Sequence, residues 1–211
     1  RICRATQTAE QWPVNSSLAK LLTLMACIKS IYDFNAETLD GQTIPLSIYR
    51  GKVNFQVVFS FYSSVRQYHR LNALMEMFGH LNFTVLGFSC NQFGLQAPEA
   101  NHETLNILKY VRPGGGFVPK FPVFGKIEVN GLNEEPLFTY LKESLPYVNP
   151  VIGDIKKFYW SPIKVNDLRW NFEKFLIASD GEPYRRRGKL SLDTIWKEIQ
   201  YAFWYGMVYH K

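Results

Sequence analysis

The sequence predicts a single α/β domain. The stretch from Val53 to Tyr62 is rich in β-branched and aromatic residues, which predicts a buried central strand. A helical pattern ending at Phe78 and a second strand from Phe83 to Phe88 follow it, and this order implies a right-handed parallel crossover. The chain has 211 residues, 46% of them hydrophobic, which fits one domain with a substantial core.

The remaining elements can be placed from turn signals and hydrophobic spacing. Asp40-Gly41 is a strong turn signal between two short extended stretches, 31–37 and 42–46. Asp180-Gly181 likewise predicts a hairpin late in the chain. In chain order, the other predicted elements are a helix over 103–110, a strand over 123–129, a helix over 136–144, hairpin strands over 172–178 and 182–186, and a helix over 190–205.

The chain divides into a weakly patterned N-terminal extension, residues 1–30, and one domain, residues 31–211. Within the extension, the segment Leu18–Ala26 is short and apolar, typical either of a signal or pro-segment remnant or of an ordinary amphipathic helix turn. No stretch is long and apolar enough to span a bilayer, so no membrane association is predicted. The Pro-interrupted connection over 145–165 is long for a compact domain, which indicates a functional or interface loop.

The chain is basic, with a formal charge of +6 and an isoelectric point near 9.2. A basic surface attracts anions, such as nucleic acid, acidic lipid or a small acidic metabolite. Basic residues are not interleaved with stacking aromatics, so nucleic acid is not predicted as a partner. The one dense basic run is Arg185-Arg186-Arg187, followed by Lys189.

Three cysteines are present: Cys3, Cys27 and Cys90. Their spacing contains no CxxC or Cys/His pattern, so no metal site is predicted. An odd count argues against a disulfide framework, although a single Cys3–Cys27 pair stays open for a secreted chain.

Several long segments resemble the signature segments of the glutathione peroxidase family, in family order and at family spacing. The resemblance runs from about Ile31 to Gly188 and is carried by LGFSCNQFG (86–94), KYVRPGGGFVP (109–119), VNG (129–131) and DLRWNFEKFL (167–176), with LDG (39–41), YRGK (49–52) and QYHRLNAL (67–74) extending it. It implies a thioredoxin-like fold with a central mixed sheet flanked by helices. It also implies reduction of hydrogen peroxide and organic hydroperoxides, with glutathione as co-substrate and without a cofactor.

Two features resemble one branch of that family. The long loop between Pro136 and Trp170 is present in the tetrameric glutathione peroxidases, and the segment from Trp160 to Leu176 is similar to the secreted plasma and epididymal enzymes. This resemblance implies a homotetramer and an extracellular location.

The family pattern also implies the site. A soft anionic nucleophile lies between the central strand and the next helix, where helix N–H groups favour an anion. An amide, an indole and a second amide surround it, and Gln92, Trp170 and Asn171 are assigned to these positions. The nucleophile's position matches Ser63, with Ser64 as the alternative, where the family has selenocysteine or cysteine.

A serine there changes the expected chemistry. A hydroxyl is a hard, weakly acidic nucleophile that needs a general base, and no motif places a histidine beside Ser63. Cys90 is interpreted as an inert cysteine at a strand end, and no resolving cysteine lies between Asn91 and Lys211. Two interpretations stay open: a glutathione peroxidase with weak activity, and an inactive paralogue that acts by binding or as a structural protein.

The glutathione side of the site is expected to be basic, since glutathione carries two carboxylates. Arg112 lies in the matching YVRPGGG segment, and Arg185 and Arg186 follow the Asp180-Gly181 hairpin turn, where relatives place basic residues. Arginine forks suit carboxylates geometrically. For Arg185 and Arg186 the alternative is a solvated surface run.

Overall fold

The computed structural model describes residues 30–59, 65–146, 151–187 and 197–202. The predicted extension therefore lies outside the described residues, except for Ser30, and so do Cys3 and Cys27. The elements are β1 (Asn35–Glu37), β2 (Thr43–Pro45), β3 (Val53–Phe59), α1 (Val65–Phe78), β4 (Phe83–Ser89), α2 (Thr104–Tyr110), β5 (Val123–Phe124), α3 (Pro136–Ser144), β6 (Lys174–Ile177) and β7 (Pro183–Arg187). Of the predicted C-terminal helix, residues 197–202 are described and are helical.

Five strands form one mixed sheet in the order β5-β4-β3-β6-β7. β3 pairs in parallel with β4, and β4 with β5, so the predicted crossover through α1 is present. β6 pairs antiparallel with β3, and β7 with β6, which is the predicted hairpin. β1 and β2 form the separate antiparallel pair around the Asp40-Gly41 turn. The predicted α/β class, with a central mixed sheet, is confirmed.

The sheet is covered on both faces, which explains why β4 is buried along its whole length. On one face, α1 contributes Tyr68, Leu71 and Leu74 to a core that also contains Phe172 and Leu176. On the other face, α3 contributes its own apolar side chains, and the members of that core include Leu137, Phe138, Leu141, Phe88 and Phe175.

The structure differs from the sequence-based prediction after β5. The strand was predicted over 123–129, but it ends at Phe124 because the next backbone groups bond elsewhere. The N–H of Gly125 donates to the carbonyl of Glu37 at 2.8 Å, and the N–H of Ile127 donates to that of Ser89 at 2.9 Å. The chain therefore leaves the sheet edge and crosses the end of β4. Among the described helices, none is long and apolar enough to cross a membrane.

The carboxyl end of β3 is the point where distant segments meet. The carbonyl of Phe59 accepts a hydrogen bond from the N–H of Cys90 at 3.0 Å. The carbonyl of Val58 accepts one from the N–H of Phe172 at 2.7 Å. The loop after β4 and the residues before β6 are thus fixed beside the strand end that leads into residues 60–64. Crevices at the carboxyl ends of strands are the usual ligand sites of open α/β sheets.

Candidate active site

Trp170 and Asn171 lie together in the turn that precedes β6. Asn171 is buried, and its Nδ2 donates to Oε1 of Gln96 at 3.3 Å. Its Oδ1 has no hydrogen-bond partner among the described residues. Trp170 keeps 48% of its surface exposed, and its ring centroid lies 6.2 Å from that of Phe93. The structure therefore brings a half-exposed indole and two amides together at the carboxyl end of β3.

Two non-glycine residues in left-handed backbone conformation shape this corner. Leu95 has φ = +53° and precedes Gln96, while Phe172 has φ = +62° and follows Asn171. Both conformations are uncommon for large side chains and persist where surrounding contacts enforce them, a feature that clusters at functional sites. For Phe172 the surrounding contacts include Tyr68, whose ring packs edge-on at 5.2 Å.

Gln92, the amide assigned from sequence, has a different position. Its Nε2 donates to the carbonyl of Asn130 at 2.8 Å, and its Oε1 accepts from the N–H groups of Val129 and Asn130 at 2.9 and 3.0 Å. The side chain is buried and holds the turn at Asn130-Gly131 against the loop after β4. The amide beside Asn171 is that of Gln96, which sequence reasoning missed, because the segment contains two glutamines four residues apart and only their bonding partners distinguish them.

Ser63 and Ser64 lie outside the described residues. The structure describes what flanks them: β3 ends at Phe59 and α1 begins at Val65. Five residues therefore connect the strand end beside Asn171 to the N-terminus of a 14-residue helix. The first N–H groups of such a helix have no intrahelical acceptor, and the helix dipole favours negative charge there.

Cys90 is the cysteine nearest to this corner in the sequence, and it is fully buried. Burial raises the pKa of its thiol to about 12. Its Sγ lies 3.8 Å from Oε1 of Gln92, within the same buried turn. A thiol that stays protonated and shielded from solvent is a poor nucleophile, since the thiolate is the reactive form.

The three consecutive arginines alternate between the two faces of the β6–β7 hairpin. Arg185 lies opposite Leu176, whose side chain is in the core on the α1 face, and Arg187 lies opposite Lys174. Both arginines pair with Glu198, at 3.2 and 3.0 Å, and about two-fifths of each side chain is exposed (42% and 41%). They remain accessible from the α1 face. This period-two alternation is the normal property of a strand.

Arg186 points to the opposite face and is buried, with only 5% of its side chain exposed. Its Nε pairs with Oε1 of Glu173 at 2.5 Å, and its Nη atoms donate to the carbonyls of Asn166 and Asp167 at 2.7 and 3.0 Å. A guanidinium held in this way stabilises the loop before β6. The glutathione-binding role assigned to Arg186 from sequence therefore does not fit its position.

Arg112 follows α2 and is half-buried. Its backbone N–H donates to the carbonyl of Ile107, five residues back, at 2.8 Å, so it closes the C-terminus of that helix. Burial raises the pKa of Tyr68 well above its ordinary value, the charge of Glu99 raises it further, and the charge of Arg112 partly opposes this rise. Arg112 is thus close enough to act electrostatically on a core residue of the α1 face. Within the described ranges, no cluster of three or more His, Cys, Asp and Glu side chains could hold a metal ion.

A mixed sheet with a parallel crossover, an antiparallel C-terminal hairpin and a polar corner at the end of the central strand defines a thioredoxin-like protein. Two solved structures support this class. The crystal structure of T. cruzi GPX1 superposes with a TM-score of 0.60 at 26% identity, covering 82% of this chain and 95% of that chain. Trgpx in its apo form superposes with a TM-score of 0.59 at 28% identity, covering 83% and 96%.

Sequence comparison gives the family. The family model for glutathione peroxidase matches residues 31–142. Glutathione peroxidase 3 of Hylobates lar is 48% identical over 159 residues, which is 74% of this chain and 70% of the relative. The epididymal secretory glutathione peroxidase of Sus scrofa is 47% identical over 174 residues, or 82% and 80%. The chain belongs to the glutathione peroxidase family, which confirms the resemblance and the thioredoxin-like fold predicted from sequence.

Proposed function

We propose that this chain is a non-catalytic glutathione peroxidase homologue that binds glutathione without reducing hydroperoxides. The observation that carries the proposal is Cys90, which is fully buried with a pKa raised to about 12 by that burial. It is the one cysteine within the described ranges. The nucleophile's position falls on Ser63 or Ser64, so the pocket is assigned an alcohol in place of an ionised thiol or selenol.

The reaction explains why this replacement matters. A thiolate attacks one oxygen of a hydroperoxide, the O–O bond breaks, and the products are an alcohol and a sulfenic acid. Glutathione then attacks the sulfenic sulfur, releasing water, and a second glutathione frees the thiol as glutathione disulfide. An alkoxide that attacked in the same way would exchange one O–O bond for another, with no oxidation of the serine, so the hydroperoxide would not be reduced. A serine also needs a general base to be nucleophilic at all.

The pocket itself supports retained binding. The indole of Trp170 is half exposed, and Asn171 has a buried Oδ1 with no partner among the described residues. An unpaired buried acceptor costs free energy comparable to a lost hydrogen bond unless a ligand or a water supplies a donor. We assign the amide position to Gln96, which is hydrogen-bonded to Asn171, in place of Gln92. The alternative candidate, a weakly active peroxidase, is favoured by the same retained pocket.

For glutathione, we assign the carboxylates to Arg112 and to the exposed arginines of β7. Arg185 and Arg187 share the α1 face of the hairpin and are bonded to one carboxylate, Glu198. A ligand carboxylate would compete with Glu198 for these guanidinium groups and gain bidentate geometry. Arg187 was not assigned to glutathione from sequence, and only the strand alternation separates it from Arg186.

The secretory name of the Sus scrofa relative supports an extracellular location for this chain. An assembly of four copies is proposed on the long connection before β6, which matches the tetrameric branch by sequence. Sedimentation velocity on the purified chain would measure the assembly, and a monomer would contradict this part of the proposal.

Calorimetric titration with reduced glutathione tests the binding proposal. Wild type should bind, and the double variant Arg185→Ala/Arg187→Ala should bind about tenfold or more weakly, because a charge-assisted contact contributes about 1.5–3 kcal/mol. Arg50→Ala is the matched control, since Arg50 is an exposed arginine stacked on Tyr32 at 4.6 Å. Absence of binding by wild type, or equal losses in the control and the double variant, would contradict the proposal.

A further inference from the structure

Lys174 is a buried lysine at the start of β6, next to the candidate site. It is 1% exposed, in a part of the sheet where charged side chains are rarely found. It lies directly opposite Val57 of β3 and Arg187 of β7, so its side chain shares the α1 face with Val57, a member of that core. None of the roles assigned above uses this amine.

The amine of Lys174 contacts Phe172, the residue of the site with strained backbone. Its Nζ donates a hydrogen bond to the carbonyl of Phe172 and lies 5.7 Å from the centroid of the Phe172 ring. Phe172 is also held through its N–H, which donates to the carbonyl of Val58, and through its ring, which packs on Tyr68. Three separate contacts thus fix one residue whose φ is +62°.

The backbone conformation of Phe172 sets the positions of the two preceding side chains, Trp170 and Asn171. A bulky residue in the left-handed region is strained, so its surroundings must over-determine it. Without the amine, the carbonyl of Phe172 would lose its donor, and an extended backbone would become the less strained alternative. Rotation at Phe172 would move Asn171 away from Gln96, to which it is hydrogen-bonded at 3.3 Å.

We propose that Lys174 is the positioning residue of the site: its amine locks the Phe172 carbonyl and thereby holds Trp170 and Asn171 at the carboxyl end of β3. The assignment of the corner as a ligand site rests on the proposed function, but the clamp itself is a statement about the wild-type fold. Lys174 acts through the backbone and is not assigned contact with substrate.

The electrostatic surroundings make the clamp sensitive to pH. Burial lowers the pKa of Lys174 to about 8, the neighbouring Glu173 opposes this shift, and Arg70 of α1 adds to it. On the neighbouring strand β7, the residue opposite Lys174 is Arg187, whose guanidinium is paired with Glu198. Above a pH near this pKa the amine becomes neutral, and a neutral amine is the weaker donor to a carbonyl.

Fluorine NMR of the full chain labelled with 5-fluorotryptophan tests the proposal. The Trp170 resonance is assigned by its disappearance in Trp170→Phe. In wild type it should shift between pH 7 and 9.5 with a midpoint near 8, the pKa of Lys174. In Lys174→Met the step should vanish and the resonance should move at every pH. Lys120→Met, which removes an exposed lysine, should leave both position and step unchanged.

Lys174→Arg separates the clamp from simple packing. Arginine keeps a charged donor at all these pH values, so at pH 7 the Trp170 resonance should stay near its wild-type position, without a step near pH 8. If Lys174→Met fails to fold, the wild-type titration and the Lys174→Arg variant are enough to test the proposal. A wild-type resonance without a step, or a step that persists in Lys174→Met, would overturn the proposal. Because no turnover is measured, peroxidase activity in the native chain would contradict the proposed function and leave this test unaffected.

Discussion

Two glutamines four residues apart have different structural roles in this molecule. The amide of Gln92 is hydrogen-bonded to the backbone of Val129 and Asn130, which ties two loops together. The amide of Gln96 faces Asn171 at the pocket. The role of a glutamine in this signature segment is therefore defined by its hydrogen-bonding partners and not by its residue type alone.

Alanine substitutions should separate the two roles. Gln92→Ala leaves buried backbone groups without partners and should lower the free energy of unfolding by at least about 2 kcal/mol. Gln96→Ala should lower it by only about 1 kcal/mol, because Gln96 is half-buried in a loop and its described hydrogen bond to Asn171 is long, at 3.3 Å. Urea unfolding followed by circular dichroism measures both. Equal losses, or a larger loss for Gln96→Ala, would contradict this division of roles.

At the scale of elements, α3 is fixed to the loop before Trp170 by a buried ion network. Nζ of Lys142 contacts Oε2 of Glu134 at 2.5 Å and Oδ1 of Asp167 at 3.2 Å, and all three side chains are largely buried. Oδ2 of Asp167 accepts from the indole N–H of Trp160 at 2.9 Å. Asn130 also accepts from Lys142, at 3.3 Å, which extends the network to the turn held by Gln92.

Removing the cation from this network should be costly. Lys142→Met leaves Asp167 buried without its cationic partner and should lower the free energy of unfolding by about 3–5 kcal/mol. Lys120→Met is the matched control: its pair with Glu76 is more than half exposed on both sides, so about 0–1 kcal/mol is expected. Urea denaturation of each variant measures the change in the free energy of unfolding. A Lys142 loss no larger than that of Lys120 would show that the network does not hold α3 to the loop.

The elements were largely predictable because their signals are local. The helical spacing of α1, the Pro136 start of α3 and the Asp180-Gly181 turn depend on nearby residues, and all are observed. The predicted strand over 123–129 was too long, because its later residues bond to Glu37 and Ser89, which lie far away in sequence. A tertiary hydrogen bond of this kind leaves no mark on local hydrophobic spacing.

At the scale of the whole molecule, the family and the fold followed from several long signature segments, whereas the site residues followed only in part. Asn171 is hydrogen-bonded to Gln96, and the roles of Trp170 and Asn171 that the family pattern implies stay predictions. The contact of Gln96 with Asn171 and the burial of Arg186 depend on the directions of their side chains, which the sequence does not give. For Arg185-Arg186-Arg187, the face of the sheet on which each side chain lies follows only from the strand register. The assignment of Ser63 or Ser64 to the nucleophile's position stays a prediction, since both lie outside the described residues.

We propose that this pocket lacks only its redox atom. The most direct measurement is glutathione-dependent consumption of hydrogen peroxide in an assay coupled to NADPH oxidation, made on the native chain, on Ser63→Cys and on Ser64→Cys. The native chain should match the buffer background, and one of the cysteine variants should rise clearly above it, because a thiolate there regains the attack that an alcohol lacks. Native turnover above the buffer background would contradict the proposed function, and its survival in Cys90→Ser would show that Cys90 is not its source.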